Sequence, residues 1–217
     1  METRPKSAGG DRLLRVEGLS REFRGHEVLA GLELGLEPGE RLAVTGANGS
    51  GKTTLLRCIA GSLTPTSGEI LVGRHAAGSR EARALTGVSL AQERSFYLRL
   101  TGRANLRFYS RLRIASRRDA YRQVDALEEE LVLGDIAAER CDRCSTGMMQ
   151  QFAFARALLG DPRLLVLDEP TRSLDEAATE RLWAALDRRP QLAVLIATHR
   201  EDDIRRCHSQ LELTLRS

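Results

Sequence analysis

Eight residues, Gly46-Ala47-Asn48-Gly49-Ser50-Gly51-Lys52-Thr53, constrain this chain more than any other stretch. They fit the spacing G-x-x-x-x-G-K-S/T, in which each fixed position has a task that few other side chains perform. Glycines let the backbone approach phosphate oxygens, successive N–H groups converge on the anion at a helix N-terminus, and a flexible ammonium neutralises its charge. The hydroxyl that follows is a hard oxygen ligand suited to Mg²⁺. Residues 41–45 read as a buried strand running into the loop, and Leu55, Leu56, Ile59 and Ala60 recur at helical spacing across 52–60. A glycine turn without a ligand needs none of this order. Gly46, Asn48, Gly49, Ser50, Gly51, Lys52, Thr53 and Thr54 are therefore the candidates for nucleotide contact. Composition also singles out Lys52: Lys and Arg together number 33, yet Lys6 and Lys52 are the only lysines.

A second apolar run, Leu164-Leu165-Val166-Leu167, ends in Asp168 and Glu169. A strand of this kind places its terminal acids at the carboxyl edge of a parallel sheet, beside the phosphate loop. Asp168 is then the candidate to hold Mg²⁺ through water, with Thr53, and Glu169 the candidate general base that polarises an attacking water.

The rest of the chain supplies the setting. Residues 13–16 and 28–36 carry strand-like apolar patterns and predict an antiparallel entry region; short strands are predicted at 69–73, 87–91, 192–198 and 211–215, and helices at 147–159 and 176–186. Between about 93 and 133, Leu106, Leu112, Tyr121, Val124, Leu127 and Leu131 recur at helical intervals among many charges, which reads as a helical insertion. Strands alternating with helices imply a mainly parallel sheet covered on both faces. The formal net charge of +3 is too small to indicate a nucleic-acid partner, and none is expected. No window reaches the roughly 18 consecutive apolar residues of a membrane span. Residues 1–11 lack an apolar signal core and are expected to be a flexible leader. Four cysteines without an export signal point to a reducing, cytoplasmic setting, and the spacing of Cys141 and Cys144 lacks the second ligand pair of a zinc site.

Cys144-Ser145-Thr146-Gly147-Met148, followed by Gln150, Gln151 and Ala155-Arg156-Ala157-Leu158, resembles the LSGGQ signature region of the ATP-binding domains of ABC transporters. Ser145 and Gly147 match that signature; Cys144, Thr146 and Met148 depart from it. The resemblance runs along nearly the whole chain. It implies an α/β fold of the P-loop NTPase (RecA-like) type occupying 12–217, with an N-terminal antiparallel β region and an α-helical subdomain inserted at about 93–160. It also implies ATP and Mg²⁺ as cofactors and hydrolysis of ATP. By the same resemblance, Gln92 senses the metal and the attacking water, and His199 bridges the γ-phosphate and Glu169. Asp175, in Ser173-Leu174-Asp175, crosses a dimer, and Phe23 stacks on adenine. Ser145 and Gly147 contact the γ-phosphate held by a second copy, so two chains share two nucleotides. The partners implied are that second ATP-binding subunit and an integral membrane permease received near Phe96 and Tyr97, with the chain peripheral on the inner face of the membrane. The stretch from Arg94 to Leu106, with the signature variant, resembles ABC-2 type subunits that export polysaccharides, lipids or drugs. A soluble ATPase of the same family acting in assembly or repair, and a module that binds nucleotide without hydrolysing it, are the rival readings.

Overall fold

The computed structural model describes residues 12–90 and 95–215, so the leader expected at 1–11 and Gln92 lie outside the described residues. The first two strands, β1 (Leu14–Phe23) and β2 (His26–Leu36), pair antiparallel through a two-residue turn. β3 (Arg41–Thr45) leads through the glycine-rich loop into α1 (Lys52–Ile59). β4 (Ser67–Val72) and β5 (His75–Ala76) return to the hairpin, giving an antiparallel sheet ordered β2-β1-β4-β5. After α2 (Arg80–Leu85) and β6 (Thr86–Ser89) come α3 (Gly102–Arg113), α4 (Arg117–Glu130), the single turn α5 (Gly134–Ala137) and α6 (Thr146–Leu158). β7 (Leu164–Asp168), α7 (Glu176–Asp187), β8 (Ala193–Ala197), α8 (Glu201–Arg205) and β9 (Ser209–Glu212) follow. The second sheet is parallel throughout, in the order β6-β7-β8-β3-β9. β9 starts and ends earlier than the strand expected at 211–215, because its register is set by β3, from Leu42 opposite Ser209 to Thr45 opposite Glu212.

The apolar runs of β7 and β8 show no polar alternation because both faces of the sheet are covered. The period of two survives as a division between two cores. Leu164, Val166, Ala193, Leu195 and Ala197 join α1 and the antiparallel sheet, whereas Leu165, Leu167, Val194 and Ile196 join α6 and α7. α1 is held between the two sheets by Leu55, Leu56 and Ile59, none more than 1% exposed.

Leu106, Val124, Leu127 and Leu131 face the second core, as their helical period requires. Leu112 shares that period but is 68% exposed, one turn beyond the exposed Phe108 on the same helix face. Arg103 and Glu128 pin α3 to α4 by a bidentate pair at 2.6–3.0 Å. Phe152, fully buried, joins α6 to this layer and packs against Phe96 at a centroid separation of 6.5 Å. Phe152→Ala is expected to destabilise the protein by about 3–5 kcal/mol, lost ring burial and the remaining cavity adding together; urea unfolding of the two proteins measures it.

Candidate nucleotide-binding site

β7, β8 and β3 are immediate neighbours, so the segments leaving their carboxyl ends emerge side by side. These are the residues after Asp168, the residues after Ala197, and the loop 46–51. That edge is where open α/β sheets bind ligands.

The loop is shaped by backbone geometry. Gly46 has φ 135°, and a Cβ added there would collide with the carbonyl oxygen of Leu213, the residue just after β9. Lys52 Nζ donates to the carbonyls of Gly46 at 2.6 Å and Ala47 at 3.1 Å, spanning the loop. Gly51, the residue preceding α1, offers no side-chain cap, so the first N–H groups of the helix remain open to an anion. Ser50 is 3% exposed, and its hydroxyl has no hydrogen-bond partner among the described residues. Asn48 stands at the exposed tip and Thr54 is half-buried in the first turn of α1.

Thr53 Oγ1 donates to Asp168 Oδ2 at 3.0 Å. A hydroxyl and one carboxylate are the sparse oxygen set that suits Mg²⁺, whose remaining ligands are waters and phosphate oxygens. Among the described residues no group of three His, Cys, Asp or Glu could hold a metal by itself, and all four cysteines are free. Burial pushes the Cys141 thiol up to about 11 and the Cys144 thiol upward, away from the thiolate a metal would need.

Glu169 occupies a left-handed backbone conformation, φ 49°, with its N–H donated to Ala197 O at 2.8 Å. For a residue with a Cβ this costs about 1–3 kcal/mol, and such strain collects at functional sites. It turns the side chain onto His199, whose Nδ1 lies 2.8 Å from Oε1. With Glu169 ionised, Nδ1 must carry the hydrogen. Oε2 is buried and has no hydrogen-bond partner among the described residues. The imidazole itself is 64% exposed, reaching out from the sheet edge.

The structure thus brings together the 46–54 loop, Asp168, Glu169 and His199. Gly147, near the start of α6, lies against the loop that follows β7, with Ser145 two residues before it. A Cβ on Gly147 would collide with Ser173 O, so this glycine permits backbone approach within the chain. Ser145 caps α6 by accepting from Met148 N at 3.2 Å, and Met148 Sδ accepts from Ser145 N at 3.4 Å, so the thioether takes the reciprocal half of a capping box. Asp175 caps α7 by accepting from Ala178 N at 2.7 Å. Phe23 is 40% exposed at the end of β1, with the Arg21 guanidinium 4.4 Å from its ring centroid. The same hairpin touches the loop through Val28, beside Gly51. Phe96 is half-buried against Tyr109 and Phe152, while Tyr97 is 51% exposed.

Two residues near the site carried little signal in the sequence. Arg156, noted there only as part of the signature region, donates to Ser95 Oγ and lies over the rings of Phe96 and Tyr109 at 5.0 and 5.3 Å. Asp203 is fully buried among hydroxyls; as the third of three consecutive acids at a helix start, it looks in sequence like its exposed neighbours Glu201 and Asp202.

Residues 29–172 match the family profile described as ABC transporter. The chain is 37% identical over 193 residues to the Fe(3+) ions import ATP-binding protein FbpC 2 of Rhodococcus jostii (strain RHA1), covering 86% of this chain and 55% of that protein. It is 36% identical over 202 residues to the Nod factor export ATP-binding protein I of Rhizobium johnstonii (strain DSM 114642 / LMG 32736 / 3841), covering 90% and 64% respectively. A solved structure of an ATP-binding subunit of an ABC transporter superposes with a TM-score of 0.84 at 26% identity, covering 94% of this chain and 88% of that one. The chain belongs to the ABC transporter family, in the class of its ATP-binding proteins. It spans 55–62% of the length of three of the curated relatives it matches.

Gly46→Ala tests the loop. Steric conflict with Leu213 O and the unfavourable φ should weaken binding of a fluorescent ATP analogue by at least about 100-fold, the equivalent of roughly 2.7 kcal/mol, in titrations against the parent protein.

Proposed function

We propose that this chain is the ATP-hydrolysing subunit of an ABC transporter, acting as a pair of copies on a separate membrane permease. The observation that carries the hydrolytic reading is the state of Glu169. One carboxylate oxygen is tied to His199, and the other is buried without a partner among the described residues, at the sheet edge where the phosphate loop opens. A carboxylate held this way accepts a hydrogen bond from an attacking water with little reorganisation.

Lys52 and the loop N–H groups orient the phosphates of ATP. Mg²⁺, held by Thr53 and Asp168, would supply charge neutralisation on the phosphate oxygens. His199 fixes the Glu169 carboxylate and presents its exposed ring edge to the terminal phosphate. Gln92, by the family resemblance, senses the metal and the attacking water. Phe23 offers a ring face to adenine, a role in which Arg21 has to share or yield the surface. The N-terminus of α6 with Ser145, beside the loop after β7, suits a nucleotide carried by a second copy. Asp175 lies on the same path across the pair.

The finer reading is an exporter, with the chain at the inner face of the cell membrane. The Nod factor export relative agrees with that direction and the iron import relative does not, so direction rests on the resemblance of residues 94–106. An exposed apolar surface supports a permease contact: Tyr97 packs edge-on against Phe108, and Leu112, one turn further along α3, lines a cleft of about 350 Å³ with Ala60, Val88 and Tyr109. Phe96, packed inward, braces this surface.

Glu169→Gln should lower ATP turnover by about 100-fold or more while ATP binding persists, and should trap a two-copy species visible by mass photometry; unchanged turnover refutes the hydrolytic role. For the membrane contact, a Tyr97→Ser and Leu112→Ser double variant should lose co-purification with a multi-span permease encoded nearby while still binding ATP. Retention of the permease counts against this surface.

A further inference from the structure

We infer that Asp203 is a positioning residue: its buried carboxylate clamps the segment carrying His199 to the loop that follows Glu169, and so sets the contact between the two. The inference rests on the reading of Glu169 and His199 as the hydrolytic pair.

Asp203 sits in α8 and is fully buried, unlike Glu201 and Asp202 just before it. Its three side-chain donors among the described residues are all neutral. Oδ2 accepts from the hydroxyls of Thr171 and Thr198, the latter at 3.1 Å, and Oδ1 accepts from the Trp183 indole N–H at 3.3 Å. Thr171 and Thr198 are themselves fully buried. Thr198 immediately precedes His199, and Thr171 is two residues beyond Glu169. One carboxylate oxygen therefore joins the two segments whose side chains meet at 2.8 Å. Arg200 closes the clamp from the rim, with Nη1 donating to Thr171 O at 2.8 Å and its N–H to Thr198 Oγ1 at 3.1 Å.

The charge type follows from the donor count. A carboxylate is acceptor-only and takes two hydroxyls on one oxygen and the indole on the other; an amide of the same shape turns an NH₂ group toward one of those donors. Burying a carboxylate among neutral donors is otherwise unfavourable, so packing alone gives no reason for an acid here. The reason lies in what it aligns. A misplacement of about 1 Å near a reacting centre lowers rate by up to about 100-fold.

The test separates hydroxyl from shape. In Thr171→Val and Thr198→Val, kcat for ATP should fall about tenfold with KM for ATP within about threefold of the parent, while Thr171→Ser and Thr198→Ser stay within about threefold in both. The Val double variant should be no worse than about threefold below the lower single variant, because both hydroxyls act through the same oxygen. Emission from Trp183, the chain's one tryptophan, reports whether each variant retains the folded clamp. Arg200→Gln, at the rim, carries the test if the buried variants do not fold, and should lower kcat by about fivefold or more at unchanged KM. Val variants with parental kcat, a joint loss of kcat and ATP affinity, or Ser variants as impaired as Val overturn the inference; so does a parental kcat in Arg200→Gln. Glu169→Gln, run alongside, distinguishes the two failures: if it turns over like the parent, the hydrolytic reading falls, whereas if only the clamp variants are silent, Asp203 is structural.

Discussion

Three strands with both faces buried, β7, β8 and β3, lie hydrogen-bonded side by side, and the chemistry of the protein depends on the edge where they end. Their ladders fix the ends of the strands relative to one another. The three segments that leave them therefore start from positions set by backbone hydrogen bonds rather than by the segments' own conformational preferences. Thr53 reaches Asp168, and Glu169 reaches His199, because residues 115 and 30 apart in sequence are delivered to one place. A rigid scaffold that delivers mobile or strained groups is how a fold of modest stability maintains a precise site.

That precision has identifiable local costs. Glu169 holds a left-handed backbone and a buried oxygen without a hydrogen-bond partner among the described residues, and Ser50 holds a buried hydroxyl in the same condition. An unmade hydrogen bond in a buried group costs about 1–3 kcal/mol. The cost is offset by the two apolar cores on either side of the sheet, to which β7 and β8 contribute alternate side chains. The buried Asp203 is a different case, since its hydrogen bonds are made and its role is to couple segments.

α6 is the element that relates the edge to the helical layer. Near its start, Gly147 lies against Ser173 in the loop after β7; near its end, Arg156 grips Ser95 and the Phe96 ring, just beyond residues 91–94. Thirteen residues of helix span about 20 Å, so one rigid element touches segments leaving two neighbouring strands. The exposed Tyr97, Phe108 and Leu112 stand on the same layer.

The sequence by itself determined the phosphate loop, the strand carrying Asp168 and Glu169, and the alternation of strands and helices that requires a parallel sheet. These were legible because glycine spacing, an uninterrupted apolar run and helical period are local properties, each fixed by a few adjacent residues. The same locality limits it. Period alone could not show that Leu112 faces outward, because exposure depends on whether another element covers that face. Nor could it show that Phe96 packs inward while Tyr97 does not, or that Asp203 is buried when two adjacent acids are exposed. Met148 departs from the signature in sequence, yet its sulfur accepts the Ser145 N–H, since helix geometry places any acceptor of suitable length at that point. Only the tertiary structure decided these, because long-range burial and hydrogen-bond partnership arise from residues far apart in the chain that the sheet order brings into contact.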